Sequence, residues 1–170
     1  NTLKELGRLD EAVASYSQAI AAKPDYAKAR YNLGNVLKEL GRLEEAEASF
    51  NKAIVLKPDY ADAHNNLGLT LQDLGRLNEA EASLNRAIMS KPDYVEALHN
   101  LSIVLGYMGY LEAEIIALQN ILQLNDDDYY LRASVNLAIC KFLTGEFADS
   151  KKHLLAATKI QGKTLPIFKN

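Results

Sequence analysis

The sequence predicts an all-α protein, a solenoid of stacked antiparallel helix-turn-helix repeats. Three observations predict it: a repeat of constant length, apolar residues at helical spacing within each repeat, and turn residues at fixed positions. The segment YNLGNVLKELGRLEEA at residues 31–46 returns as NNLGLTLQDLGRLNEA at 65–80. Lys-Pro-Asp-Tyr recurs at 23–26, 57–60 and 91–94 with the same 34-residue period. A helical pair of this size cannot bury its apolar face alone, so successive copies are expected to stack.

Two amphipathic helices are predicted in each period, because apolar and small residues recur every three or four positions. The first stripe comprises Ala29, Leu33, Val36, Leu37 and Leu40, repeated as Ala63, Leu67, Thr70, Leu71 and Leu74. The second comprises Leu43, Ala46, Phe50, Ala53 and Ile54, repeated as Leu77, Ala80, Leu84, Ala87 and Ile88.

Turn residues separate the two helices of each period. Gly41 and Gly75 can adopt the left-handed conformation that ends a helix. Pro58 cannot continue the helix that precedes it. Asp59 and Asp93 are then expected to cap the helix that follows.

Small residues indicate where helices cross closely. Gly34 and Gly68 in the first helix, with Ala46 and Ala80 in the second, occupy equivalent positions. In the next copy Glu114 replaces this alanine. We expect either that Ala113 rotates into the crossing or that the second helix tilts outward.

The 34-residue pattern of Leu-Gly, Ala, an aromatic or Leu, and a final Pro resembles the tetratricopeptide repeat family. The resemblance implies a right-handed superhelical α-solenoid whose first helices line a concave ligand groove. It implies one array over residues 1–162, in copies 1–26 (partial), 27–60, 61–94, 95–130 and 131–162 (degenerate), with 163–170 as a tail or linker. Neither end carries a polar capping repeat, so we expect a piece of a longer protein.

Composition excludes several classes of protein. A formal net charge of −3 with interspersed signs argues against nucleic-acid binding, and no run of about 18 apolar residues predicts a membrane span. The single cysteine, Cys140, excludes an internal disulfide and favours the cytoplasm.

Catalysis is not expected. His64, His99 and His153 fall on different copies without a carboxylate or thiol at ligand spacing, and no phosphate loop, nucleotide fingerprint or nucleophile motif is present. His64 is expected to be partly buried, and His99 and His153 to lie at the surface. The sequence therefore predicts no cofactor and no metal.

The candidate binding residues are those that the first helices would turn toward the groove. Asparagine occupies one such position in every visible copy, although it is a mediocre helix former. An amide can pair with both the C=O and the N–H of a peptide backbone. The predicted peptide-binding residues are Tyr31, Asn32, Asn35, Asn65, Asn66, Leu69, His99, Asn100, Ile103, Tyr107, Asn136 and Ile139.

We name Asn32, Asn66, Asn100 and Asn136 the asparagine ladder. It resembles the ladder in the tetratricopeptide superhelix of O-linked N-acetylglucosamine transferases, which implies an extended peptide ligand. The alternative is that these asparagines are simply hydrated. The carboxylate clamp of chaperone adaptors is incomplete, because Tyr31 and Glu96 stand where its basic residues should be.

Three functions remain open from the sequence. The favoured one is a protein–protein interaction module that binds a peptide or partner segment in its groove. The others are a substrate-recruiting arm of a larger enzyme, such as a glycosyltransferase, and a scaffold that self-associates through uncapped end repeats.

Overall fold

The computed structural model describes residues 3–124 and 126–164, which form nine α-helices. They are α1 (Leu3–Ala22), α2 (Ala27–Glu39), α3 (Leu43–Leu56), α4 (Ala61–Asp73), α5 (Leu77–Ser90), α6 (Val95–Met108), α7 (Leu111–Leu124), α8 (Asp127–Leu143) and α9 (Phe147–Thr164). The all-α solenoid prediction is confirmed. The chain forms two compact units, unit 1 (Asn1–Pro92) with α1–α5 and unit 2 (Asp93–Asn170) with α6–α9.

Glycine turns join the helices of each hairpin, as the sequence predicts. Gly41 and Gly75 have φ values of 75° and 74°, in the left-handed region. In unit 2, Gly109 and Gly145 also have left-handed φ values, of 76° and 82°. A residue with a Cβ would be strained at these positions, so glycine fixes where the first helix ends.

The expected aspartate caps are wrong. Tyr60 and Tyr94, rather than Asp59 and Asp93, occupy the N-cap positions of α4 and α6, and neither makes a side-chain cap hydrogen bond. The chain instead turns through backbone hydrogen bonds, such as the one from the Tyr60 N–H to the Lys57 carbonyl at 3.1 Å. The position of the proline turn therefore places the aspartates one residue too early to cap.

The close helix crossings of unit 1 are confirmed. A Cβ on Gly34 would lie 2.6 Å from Phe50 Cε1, and one on Gly68 would lie 2.6 Å from Leu84 Cγ. Phe50 and Leu84 are completely buried. The core of each hairpin is thus a large side chain seated directly on a glycine of the facing helix.

A serine hydroxyl fixes each hairpin of unit 1. Ser49 on α3 donates to the Arg30 carbonyl of α2 at 2.9 Å, and Ser83 on α5 donates to the His64 carbonyl of α4 at 2.8 Å. Both serines are buried. These hydroxyls satisfy backbone acceptors in the crossing, where water is excluded.

α1 differs from the other helices, because it continues through Gly7, which lies where later copies have the turn glycine.

Glu114 itself lies in the crossing of unit 2, so the expected rotation of Ala113 into this position is wrong, whereas the outward tilt of the second helix stays a prediction. Its carboxylate lies against Gly106, where an added Cβ would be 3.1 Å from Oε2, and it hydrogen-bonds with Cys140. The missing side chain of Gly106 therefore makes room for the larger residue. Burial raises the pKa of Glu114, and burial with the neighbouring carboxyl raises the pKa of Cys140 to about 12.

α8 is longer than the other first helices, and the extra residues extend its start. The Asp126 carboxylate caps it, accepting from the N–H groups of Asp128 and Tyr129 at 3.1 and 3.2 Å. Of the predicted tail, residues 165–170 lie outside the described residues.

Candidate peptide-binding faces

The first helices of unit 1, α2 and α4, lie side by side and share a polar cluster. Asn66 Nδ2 on α4 donates to Asn35 Oδ1 on α2 at 2.7 Å and to the Tyr31 hydroxyl oxygen at 3.2 Å. All three side chains are half-buried. We call Tyr31, Asn32, Asn35, Asn66 and Leu69 the α2–α4 face.

These bonds fix which atoms of the cluster remain available. Asn35 uses its carbonyl oxygen to accept, which leaves its amide N–H groups as donors. The Tyr31 oxygen also accepts, which leaves its own O–H as a donor. The cluster therefore presents donors, and its natural ligand atom is a hydrogen-bond acceptor.

Aromatic packing holds Tyr31 in place. Its ring centroid lies 5.0 Å from that of Tyr60 and 6.0 Å from that of Phe50. Lys57 lies over the Tyr60 ring, with Nζ 4.9 Å from the centroid. Contacts of this kind restrict the tyrosine to one orientation, so its hydroxyl is preorganised.

Further along the same helices, Lys38 Nζ of α2 lies 3.7 Å from Asp73 Oδ2 of α4. This ion pair is partly exposed and contributes little stability by itself. Asn32 and Leu69 are half-buried on the two helices.

Asn65 does not belong to the binding surface, contrary to the sequence-based prediction. Its side chain is 0% exposed, and it donates to Asn66 Oδ1 at 3.3 Å. Helical spacing alone places Asn65 beside Asn66, but tertiary packing buries it. Its hydrogen bond helps to hold the Asn66 side chain in position.

In unit 2, the first helices α6 and α8 also lie against each other. The His99 ring of α6 packs edge-on against Tyr129 of α8, with centroids 5.2 Å apart. Burial lowers the pKa of His99, and the positive charge of Arg132 adds to the effect. His99 is half-buried, so its expected surface location is wrong.

Asn100 and Asn136 complete the asparagine ladder on these two helices. Asn100 is only 8% exposed, whereas Asn136 is half-buried. The ladder asparagines are thus not uniformly hydrated.

Exposed apolar side chains distinguish unit 2. Tyr107 is 69% exposed on α6, and Ile139 and Phe142 are 52% and 60% exposed on α8. Ile103, four residues before Tyr107 on α6, is half-buried. We call Ile103, Tyr107, Ile139 and Phe142 the α6–α8 face.

Phe142 was not among the predicted binding residues, although the repeat pattern assigns it to a groove position of its helix. Phe147, at the start of α9, packs edge-on against it with centroids 5.2 Å apart. The sequence signal was a phenylalanine in a groove position where the earlier copies have Lys38 and Gln72. Exposed aromatic residues are the usual anchors of protein interfaces.

Neither a metal site nor a membrane span is found in the described part of the chain. Over residues 3–124 and 126–164, no three His, Cys, Asp or Glu side chains form a group that could hold a metal ion. No helix in these ranges has both the length and the apolar content to cross a bilayer.

Comparison with known families decides what these helical hairpins are. The profile described as TPR repeat matches residues 1–41 and 34–75, and that described as tetratricopeptide repeat matches residues 61–94. The chain belongs to the tetratricopeptide repeat family. Members of this family are scaffolds for protein–protein interaction, and this tetratricopeptide repeat protein is a scaffold of that kind. Its partner is therefore a protein or peptide.

Solved structures share the tetratricopeptide repeat fold at low sequence identity. A crystal structure of MamA is 23% identical with a TM-score of 0.86, covering 94% of this chain and 92% of that chain. MamA 41-end from Desulfovibrio magneticus RS-1 is 18% identical with a TM-score of 0.82, covering 95% and 90%. YrrB, described as a TPR protein with an unusual peptide-binding site, is 23% identical with a TM-score of 0.76, covering 95% and 82%. No curated protein matches the chain in sequence.

Proposed function

We propose that this tetratricopeptide repeat protein binds an extended segment of a partner protein through the faces of its first helices. The α2–α4 face of unit 1 would supply hydrogen bonds to a peptide backbone, and the α6–α8 face of unit 2 would, as a separate contact, supply apolar contacts to side chains. The observation that carries the proposal is the hydrogen bonding of Asn66 to both Asn35 and Tyr31.

Preorganisation is the reason that this cluster favours binding. Asn35 and Tyr31 are already held in one orientation, so little side-chain entropy is lost when a ligand binds. Their free donors suit the carbonyl oxygens of an extended chain, which occur in every peptide whatever its sequence. This arrangement gives affinity without strict sequence specificity.

The apolar contacts supply the second part of the proposal. Tyr107, Ile139 and Phe142 would lose exposed apolar surface to a partner side chain, which stabilises a complex by roughly 25 cal/mol per Å² buried. Specificity for apolar residues in the partner is expected from this face.

The test is selection of peptides from an unbiased display library on the full chain, followed by calorimetric titration of variants. Tyr31→Phe removes the hydroxyl donor and Asn35→Ala removes the amide donors, so each should weaken binding by about 1 kcal/mol, or roughly fivefold. Asn85→Ala, at an exposed position of α5, is the matched control and should leave affinity unchanged. Equal affinity of all three variants would contradict the proposal for the α2–α4 face.

Variants of the α6–α8 face test the apolar part separately. Tyr107→Ala and Ile139→Ala should weaken binding of the selected peptides without altering thermal unfolding, because both residues are exposed. Ile116→Ala, 59% exposed on α7, is the control. Loss of affinity in the control but not in the other two variants would place binding elsewhere.

Self-association is a second candidate function, and α1 favours it. Ser15 lies one period before Ser49, yet it is exposed and donates within its own helix to the Glu11 carbonyl at 2.8 Å. The same face is buried in α3 and α5. An uncovered helix face of this kind can receive a helix of another copy. Light scattering over a dilution series tests it, and a constant monomer mass at high concentration would exclude it.

A further inference from the structure

A cleft lies between the two second helices α3 and α5 of unit 1, which both pack on α4. Its volume is about 340 Å³, at the lower end of the range for ligand pockets. The floor is apolar and consists of Ile54 from α3 with Leu67 and Leu71 from α4. Ala82 of α5 lines the wall, and its small side chain leaves the floor accessible. None of these residues belongs to the first-helix faces described above.

One end of the α3–α5 cleft carries excess negative charge. Arg76 Nη1 donates to Glu47 Oε2 of α3 at 2.6 Å, and Arg76 Nε donates to Glu79 Oε1 of α5 at 2.7 Å. Both glutamates line the cleft. Two carboxylates share one guanidinium, so this end has a net charge of −1 and favours a cationic ligand group.

The other end carries a positive charge. Arg86 lines the cleft seven residues after Glu79 on α5, about 10.5 Å along the helix. No salt bridge to Arg86 is found among the residues that the structure describes. Its guanidinium is exposed and can pair with a carboxylate.

We propose that the α3–α5 cleft is a second binding site, which takes a short extended peptide segment with a basic residue, an apolar residue and an acidic residue. The basic residue pairs with Glu47 and Glu79, the apolar side chain covers Leu67 and Leu71, and the acidic residue pairs with Arg86. An extended chain rises about 3.3 Å per residue and turns every second side chain to the same side, so the basic, apolar and acidic residues at positions 1, 3 and 5 all face the cleft. Their backbone span of about 13 Å matches the separation of the charged ends, because the long charged side chains can reach back along the cleft. Charge complementarity at both ends fixes the direction of the segment.

The experiment is a titration of the full chain, followed by NMR of backbone amides and leucine methyl groups. The probe is the capped peptide acetyl-Lys-Ala-Leu-Ala-Glu-amide. Acetyl-Lys-Ala-Leu-Ala-Lys-amide and acetyl-Glu-Ala-Leu-Ala-Glu-amide serve as charge controls, since each satisfies one end only. We expect saturable shifts at Leu67 and Leu71 with a dissociation constant of about 1 mM, and at least fivefold weaker binding of both controls.

Variants separate this site from every other surface. Arg86→Gln should weaken binding at least fivefold by removing the positive charge, and Ala82→Leu should abolish the shifts by filling the cleft. The matched controls are Lys52→Gln and Ala48→Leu, which change the equivalent exposed residues one period earlier, outside the cleft. The controls should bind like the unaltered chain.

Three results would overturn the proposal. The first is the lack of saturable shifts with the mixed-charge peptide up to about 10 mM. The second is equal binding of all three peptides. The third is binding that survives in the Ala82→Leu variant, or shifts confined to Tyr31 and Asn35, which would place the peptide on the α2–α4 face.

Discussion

Substitution of Gly68 by alanine tests the packing on which the helical hairpins depend. The added Cβ would lie 2.6 Å from Leu84 Cγ, 2.9 Å from Leu84 Cδ2 and 3.3 Å from the Ala80 carbonyl oxygen. Leu84 is 0% exposed, so it has no solvent-filled space into which to move. Overpacking of a core costs typically 1–3 kcal/mol. The better helix propensity of alanine offsets about 1 kcal/mol of that.

We therefore expect Gly68→Ala to lower the free energy of unfolding by up to about 2 kcal/mol. The assay is urea unfolding followed by circular dichroism, with thermal unfolding as a second measurement. Gly7→Ala is the matched control, because Gly7 is exposed in helix α1 and a Cβ there would meet no atom within 4 Å. This control should stabilise the protein by up to about 1 kcal/mol.

A double-mutant cycle identifies the cause. If Cβ at position 68 clashes with Leu84, Gly68→Ala should be less harmful in a Leu84→Ala background, with an interaction energy of about 0.5 kcal/mol or more. A Gly68→Ala variant as stable as the Gly7→Ala variant would refute the argument. Strict additivity in the cycle would refute the role of Leu84.

Further predictions concern buried groups in both units. Burial raises the pKa of Glu114 in the folded state, so the folded chain keeps this proton to a higher pH than the unfolded chain does. The free energy of unfolding should therefore fall as pH rises above about 4.5. Glu114→Gln should remove this contribution to the pH dependence, as measured by urea unfolding at several pH values. Cys140 is buried with a pKa of about 12, so thiol reagents at neutral pH should modify it only at the rate of unfolding, as measured by absorbance with and without urea. Ser83→Ala removes the hydroxyl hydrogen bond to the His64 carbonyl and should cost about 1 kcal/mol, whereas the exposed Ser15→Ala should be nearly neutral in the same assay.

Binding and stability are coupled at Asn66, which separates the ladder hypothesis from a purely structural role. Asn66→Ala removes the bonds to Asn35 and Tyr31, so it should lower the free energy of unfolding by about 1 kcal/mol as well as weaken peptide binding. Asn32→Ala, for comparison, should affect stability less.

The amino-acid sequence by itself determined the helices, the turns and the close crossings. These features depend on short-range rules, since helical periodicity, a left-handed glycine such as Gly75 and a small residue such as Gly68 act within one repeat. The 34-residue period then extended the same rules to successive copies. The family followed from the same pattern.

Tertiary structure alone decided which side chains meet. Asn65 and Asn66 are neighbours on one helix, yet one is buried and the other reaches Asn35 across to α2. Glu114 fits its crossing only because Gly106, on another helix, lacks a side chain. Such pairings depend on the distance and rotation between packed helices, which are set by the whole core and leave no periodic signal in the sequence.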